Sequence, residues 1–423
     1  MQITLHIKGF FKLAVFSLIV IAAVAAFSAG SYKAWRYFKY QRYKAKNDHM
    51  AQRRREFRFL FTTKDSLNKN YLLLSPYNTY HGKTTGALLI IDFKSNVLLN
   101  KKMPHRVTAF RQWNIDGHLR YSYTIDDTDY TNPAIKLEPS AHVVILDAAL
   151  KELQQIRLPL KGLRPADSAM YIDTHEFLLM GDNHYLLLCN TVKSVNNIPV
   201  FLSPDPGVKI IAQTVLEVKN DSVVWRWDAS NYAEFYGNSF YDNNFHSAAT
   251  ATDYIHINSI AIDPRDSNLI ISMRNLHQVI KVSKQSGAIM WRLGGRNSDF
   301  QLSAQQVFLR QHNASIVDGN RLLLFDNGEQ RIRPRSRVLE FKLDEAAKTI
   351  TVFQDYSMTE RFSQARGNVQ KAGDDYFICG GYAPYLLLVN SKTGEKKMKF
   401  RYNQSLYRAY MVSDLTGLLP ARH

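Results

Sequence analysis

The chain of 423 residues has only two cysteines, Cys189 and Cys379, too few for a disulfide framework or a cysteine-based zinc site. Spacing alone does not pair them, and two thiols do not settle the redox compartment. Beyond residue 60 there is no long helical hydrophobic period, which argues against a helical bundle. No nucleic-acid-binding motif accompanies the net charge of +17, so basicity alone assigns no nucleic-acid partner. The charge is also unevenly placed. Residues 1–60 carry 12 Lys and Arg against Asp48 and Glu56, so ten of the seventeen net charges lie there and seven are spread over the rest.

That N-terminal stretch contains the one long apolar run, residues 13–30, which hold 18 uncharged residues after Lys8 and Lys12. Tyr32, Trp35, Tyr37, Phe38, Tyr40 and Tyr43 follow, interleaved with Lys33, Arg36, Lys39, Arg42, Lys44 and Lys46. This is the pattern of a transmembrane helix with an aromatic and basic interfacial collar, and anionic headgroups of a lipid bilayer are the expected partner of residues 13–46. The alternative is a cleaved signal peptide, with Val24 and Ala26 as small residues before a cleavage site. The more positive C-terminal flank would place the rest of the chain in the cytoplasm by the positive-inside rule.

From about residue 61 the chain is β-rich, with 20 Gly, 23 Tyr and 23 Phe in the whole sequence and a repeated order of strands and turns. Strands with alternating apolar and basic residues are expected at 97–103, 155–160, 223–228, 289–293, 350–356 and 396–402, each following a turn. A preceding strand repeats at 87–92, 142–147, 211–218, 279–282, 338–343 and 385–390. Successive last strands are ~45 to ~70 residues apart, the spacing of four-stranded blades with loops. The reading is an all-β, six-bladed β-propeller at 61–423 behind a 1–60 membrane anchor, its ring closed by residues 407–411 pairing with the first blade. A two-sheet sandwich would not repeat one strand order six times.

Polar groups cluster at the blade openings: Asp173-Thr174-His175-Glu176, then His256 and Asn258, then Gln311-His312-Asn313-Ala314, and Gly367-Asn368-Val369-Gln370. Arg274 and Asn275 follow a second strand in the fourth repeat, and Asp326-Asn327-Gly328 lies within the fifth. Blade-opening segments line a propeller's channel. His175, His256, His312 and Arg274 are therefore expected to converge on an axial pocket for an anion with several oxygens, where Arg supplies a planar fork of donors and neutral His a donor or a nucleophilic nitrogen. Alternatives stay open. Arg274 could pair Asp253 or Asp263, three histidines with Glu176 could bind zinc although no His-x₃-His spacing supports it, and His184, His246 and His277 read as surface or packing residues.

The ordered series HEF, HINS, SMRN, WRLGG, SDF, QHNA, LLLFDNG, SRVLEF, GNVQ and YRAYMV, from about Asp173 to Met411, resembles the bacterial arylsulfotransferase (arylsulfate sulfotransferase) family. The resemblance implies a six-bladed propeller that moves a sulfuryl group from a phenolic sulfate donor to a phenolic acceptor, with neither a nucleotide donor nor a metal or other cofactor. It implies that His312 takes the sulfuryl group, that His256 and Arg274 are catalytic, and that Asn258 and His175 bind substrate. It also implies an exported enzyme, against the charge rule, and hence a propeller on the periplasmic side of a bacterial inner membrane. Where well-studied members carry an N-terminal β-domain that supports dimers, this chain has the anchor and collar, which leaves the oligomer open. An insertion at 232–253, rich in Tyr, Asn and Phe, stands where a loop over the pocket mouth would set acceptor preference. The competing reading is a membrane-anchored, non-catalytic propeller that binds a sulfated or anionic ligand.

Overall fold

Runs such as Leu322–Leu324 and Leu269–Ile271 have no polar face to turn to solvent, so they form strands buried on both sides, and they occupy blade interiors. Strands with alternating exposure, such as Thr349–Ser357, take the outer edges instead. A computed structural model describes residues 57–63, 69–80, 83–126, 141–246 and 250–418. These residues build six antiparallel blades. The first has Ala409–Val412 innermost, then Tyr71–Leu74, Lys83–Asp92 and Val97–Met103; the second runs Arg106–Ile115, His118–Asp126, Ala141–Leu146 and Glu152–Ile156. The third is Tyr171–Gly181, His184–Ser194, Lys209–Lys219 and Ser222–Asp228, and the fourth Ile257–Ile262, Leu269–Met273, Gln278–Val282 and Ile289–Gly294. Blade five holds His312–Val317, Arg321–Asp326, Arg337–Asp344 and Thr349–Ser357. Blade six holds Asn368–Ala372, Asp375–Cys379, Tyr385–Asn390 and Lys396–Tyr402.

The expected architecture is therefore present, and so is its closure: Leu74 pairs Ala409 and Tyr71 pairs Val412. Most expected strands agree within two residues at each end. The fourth strand of blade two ends at Ile156, not Leu160, because Pro159 has no N–H to give a ladder. One strand was not expected. Phe59–Thr63 adds a fifth strand outside blade six, with Phe59 opposite Tyr402 and Thr63 opposite Met398, so the propeller takes up chain that begins before residue 61. The compact unit starts at Phe57. The apolar run 13–30 and its collar lie outside the described residues, and among those that are described no helix is long and apolar enough to cross a membrane.

The core is six clusters rather than one, each between two neighbouring blades. Leu178, Leu188 and Trp227 of blade three meet Ile260, Leu269 and Ile280 of blade four, and Leu323, Phe325 and Val338 of blade five meet Val369, Tyr376 and Ile378 of blade six. Each fully buried Leu, Ile or Phe in these seams contributes about 1.5–3 kcal/mol. Because apolar packing is completed between blades, the axis is free for polar groups. Irregular pairing turns them inward. The opening strand of blade three shifts register between Ile172 and Phe177, a stretch that contains His175, and that of blade five between His312 and Ser315, where Asn313 has φ 52°.

Candidate functional site

His312 opens blade five and is almost fully buried. Its protonation is set by a neighbour. Asn327 donates its Nδ2 to the carbonyl oxygens of Ser363 and Arg366, both at 3.0 Å, which orients the amide so that its Oδ1 faces His312 Nδ1 at 2.5 Å. An oxygen acceptor there requires the proton on Nδ1 and leaves the lone pair on Nε2. The backbone N–H of Arg366 points at that Nε2 from 3.2 Å. Burial first, then Arg274 and His256, push the ring's pKa well below the ordinary histidine value, so His312 is neutral.

The other two histidines rest on carboxylates, a buried one for His175 and a half-buried one for His256. His256 precedes the first strand of blade four with φ 52° and faces Asp253 Oδ2 through Nδ1 at 2.5 Å. His175 Nδ1 faces Asp173 Oδ1 at 2.5 Å, and Asn190 donates to the other oxygen of Asp173 at 2.7 Å. Burial alone would raise both carboxyls, yet the adjacent histidines hold Asp173 and Asp253 below the usual carboxylate range. Each ring thus keeps Nε2 for the pocket. The two rings meet edge to face with centroids 4.9 Å apart, and Tyr407 packs against His175 at 5.4 Å.

Arg274 follows the second strand of blade four, opening the turn Arg274–Leu276, and is half-buried. Its backbone N–H donates to the His256 carbonyl at 3.0 Å, and among the described residues its guanidinium gives one hydrogen bond, to Asn275 Oδ1 at 2.7 Å, and makes no ion pair. Asp253 is turned to His256, and Asp263 to Arg265 and Lys281. Burial and the nearby Arg310 make its charge harder to hold. A half-buried guanidinium without a counter-ion, beside a neutral imidazole, is a site for an anion.

Asn258 is fully buried and spends its amide on the carbonyl of Gln311 at 2.7 Å, while its Oδ1 has no partner. It joins the strand of His256 to the segment of His312. Beneath it, Arg408 spans the axis, donating to Glu176 at 2.8 Å and to the Asn258 carbonyl at 2.6 Å. Glu176 is thereby an ion-pair partner in the core, and among the described residues no group of three or more His, Cys, Asp or Glu could hold a metal ion. His277 is buried, as a packing residue would be, and accepts the N–H of Arg310 at 2.9 Å on Nδ1. Cys189 and Cys379 are buried and unpaired on different blades.

The structure thus brings His175, His256, His312 and Arg274 into one cluster. Sequence reading did not assign Asp173, Asp253 and Asn327 as the groups that orient these rings, nor Arg366 as the donor to Nε2. Asp two or three residues before a blade-opening His was the available signal; Asn327 was hidden in what reads as a turn.

Solved structures with related folds are distant. A protein of unknown function from Bacteroides caccae is 10% identical, with 82% of this chain and 99% of that chain covered and a TM-score of 0.43. The nidogen–laminin complex gives 12%, 81% and 99%, and 0.41; the periplasmic gluconolactonase PpgL of Pseudomonas aeruginosa gives 10%, 81% and 99%, and 0.37. At these values none bears on the chemistry. No curated protein matches the chain. The arylsulfotransferase (ASST) family model, in contrast, matches residues 98–411, a span that takes in every histidine of the pocket, Arg274 and most of the ring. The chain belongs to the arylsulfotransferase family.

Proposed function

We propose that the protein moves a sulfuryl group from a phenolic sulfate ester to a phenolic acceptor through a sulfohistidine at His312, with no nucleotide donor. The observation that carries this reading is the pairing of a neutral His312, its lone pair on Nε2, with the uncompensated guanidinium of Arg274. A sulfate monoester has charge spread over three oxygens and a loose transition state, so positioning and charge stabilisation supply most of the catalysis.

In the first half-reaction His312 Nε2 bonds to sulfur as the sulfur–aryl oxygen bond breaks. His256 gives its Nε2 proton to the departing phenolate, supported from behind by Asp253. The Arg366 N–H, which points at the lone pair in the resting pocket, then faces a sulfuryl oxygen, and Arg274 holds the others. In the second half His256 takes the proton of the acceptor phenol, whose oxygen attacks sulfur and releases His312. Two transfers through one nucleophile give ping-pong kinetics. His175, beside His256, lines the donor site, and Asn258 holds the two histidine segments together.

The full-length chain incubated with an aryl sulfate and a phenol should release the donor phenol and become sulfated, and His312→Ala should lose both. A sulfated intermediate on that variant would assign the nucleophile elsewhere, with His256 next in line. Binding of an aryl sulfate without turnover would favour the non-catalytic reading. For location we propose residues 13–46 as the anchor and an exported propeller. Alkaline phosphatase activity from a fusion after His423 is the expected result; fluorescence from a reporter that matures only in the cytosol overturns it.

A further inference from the structure

Beside Arg274, where the chain leaves the second strand of blade four, lies a second feature that sulfuryl transfer itself does not use. Within the insertion, Ser239, Phe240 and Tyr241 run against the turn Arg274–Leu276 that follows the second strand of blade four, where the Phe240 N–H donates to the Asn275 carbonyl at 2.9 Å. Phe240 packs on His277 with centroids 4.6 Å apart. Over the phenyl ring lies the guanidinium of Arg296, 4.3 Å from its centroid. His277, Phe240 and Arg296 therefore form a three-tier stack, rooted in the buried His277 and ending in an exposed cation.

The neighbouring aromatic is different. Tyr241 carries Arg310 at 4.2 Å, but there Glu329 closes the charge, accepting from the Tyr241 hydroxyl at 3.0 Å and pairing Arg310 at 3.1 Å. Arg296 makes no ion pair among the described residues, and Phe240 is 38% exposed. An arginine held by stacking has its N–H edge left for a planar acceptor, and less rotamer freedom to lose when it binds one. Arg274, at the start of the turn that places His277, is the other guanidinium here without a carboxylate partner, and both cations act on the His277 ring.

We infer that Arg296, positioned by Phe240, is an anion anchor at the pocket mouth and that the enzyme prefers phenolic acceptors carrying a second, anionic substituent on or near the ring. The inference rests on the transfer reading above. The sulfuryl group binds deep, between Arg274 and the histidines, and the ring's outer substituent meets the Arg296 fork. Tyr241 and Arg310, neutralised by Glu329, offer no second free cation beside it.

The test compares two acceptors that differ only in charge, 4-hydroxyphenylacetate and 4-hydroxyphenylacetamide, with the full-length protein and one aryl sulfate donor. The expected result is a kcat/KM ratio of about tenfold in favour of the acid, a factor worth about 1.4 kcal/mol. In Arg296→Gln the ratio should collapse toward one, and in Phe240→Leu it should fall by at least half. A ratio near one in the unaltered protein, or one that survives Arg296→Gln, overturns the inference while leaving sulfuryl transfer intact. If neither phenol is sulfated, the transfer reading fails first, and calorimetric binding of the same two phenols still decides: preference for the acid that Arg296→Gln removes supports the anchor, and equal binding rejects it.

Discussion

Asn327 gives His312 one defined tautomer, the one the proposed transfer needs, because two backbone carbonyls fix its amide and the amide fixes the imidazole. Asn327→Ala should therefore leave the ring free to rotate or change tautomer and lower kcat by about 10²-fold, the scale of a misplacement of about an ångström. Single-turnover formation of the sulfated protein measures it, and a rate within about threefold of the parent would remove Asn327 from the mechanism. Arg274→Lys tests the geometry of the cation: charge is kept and the planar fork is lost. Donor kcat/KM should drop by at least about tenfold, and full retention would mean that a point charge suffices.

Among the elements, the closing segment is the one on which the pocket floor depends. Arg408 lies between the third and fourth blades and the strand Ala409–Val412, with side-chain exposures of 0% for Arg408 and 3% for Glu176. Arg408→Met leaves Glu176 buried with Arg111 at 3.8 Å as its remaining cation, and should cost about 3–5 kcal/mol in denaturant unfolding. The double variant with Glu176→Gln should recover part of this; a single-variant cost below about 1 kcal/mol would mean that the pair is replaceable. This level of the structure was largely legible in advance. Alternation in outer strands such as Lys396–Tyr402 and unbroken apolar runs in inner ones such as Leu322–Leu324 are local consequences of how many faces a strand buries. The Phe59–Thr63 strand was not legible, because its partner is more than 300 residues away and an aromatic, arginine-rich stretch reads equally as collar. The histidines announced themselves by type and spacing, and Asp253 stands only three residues before His256, whereas Asn327 acts through His312, Ser363 and Arg366, which only the folded ring brings near.

Across the whole molecule, six apolar seams surround a polar axis, so the charged states of axial groups bear directly on stability. His277 must stay neutral to accept the Arg310 N–H, and burial, reinforced by Arg310 and Arg274, lowers its pKa to about 3. The unfolded chain, with an ordinary histidine value near 6.5, binds that proton first, so the stabilisation is complete above pH ~6.5 and is lost as pH falls toward about 3. His312 titrates in the same direction. His277 alone contributes a slope of about 1.4 kcal/mol per pH unit in that window. Urea unfolding between pH 7 and 5 should show stability falling with acidity, and more shallowly in His277→Gln; a flat parent profile would contradict the assignment. The first two described strands are sewn into the ring differently. The strand Phe59–Thr63 hangs on the outer rim of blade six and is zipped from Phe59 opposite Tyr402, whereas Tyr71–Leu74 is clamped between Ala409–Val412 and Lys83–Asp92. A pull on Phe59 directed across the strand and away from the blade would open the outer strand one residue pair at a time before load reached the clamp, leaving the pairing of Tyr71–Leu74 intact while this strip yields.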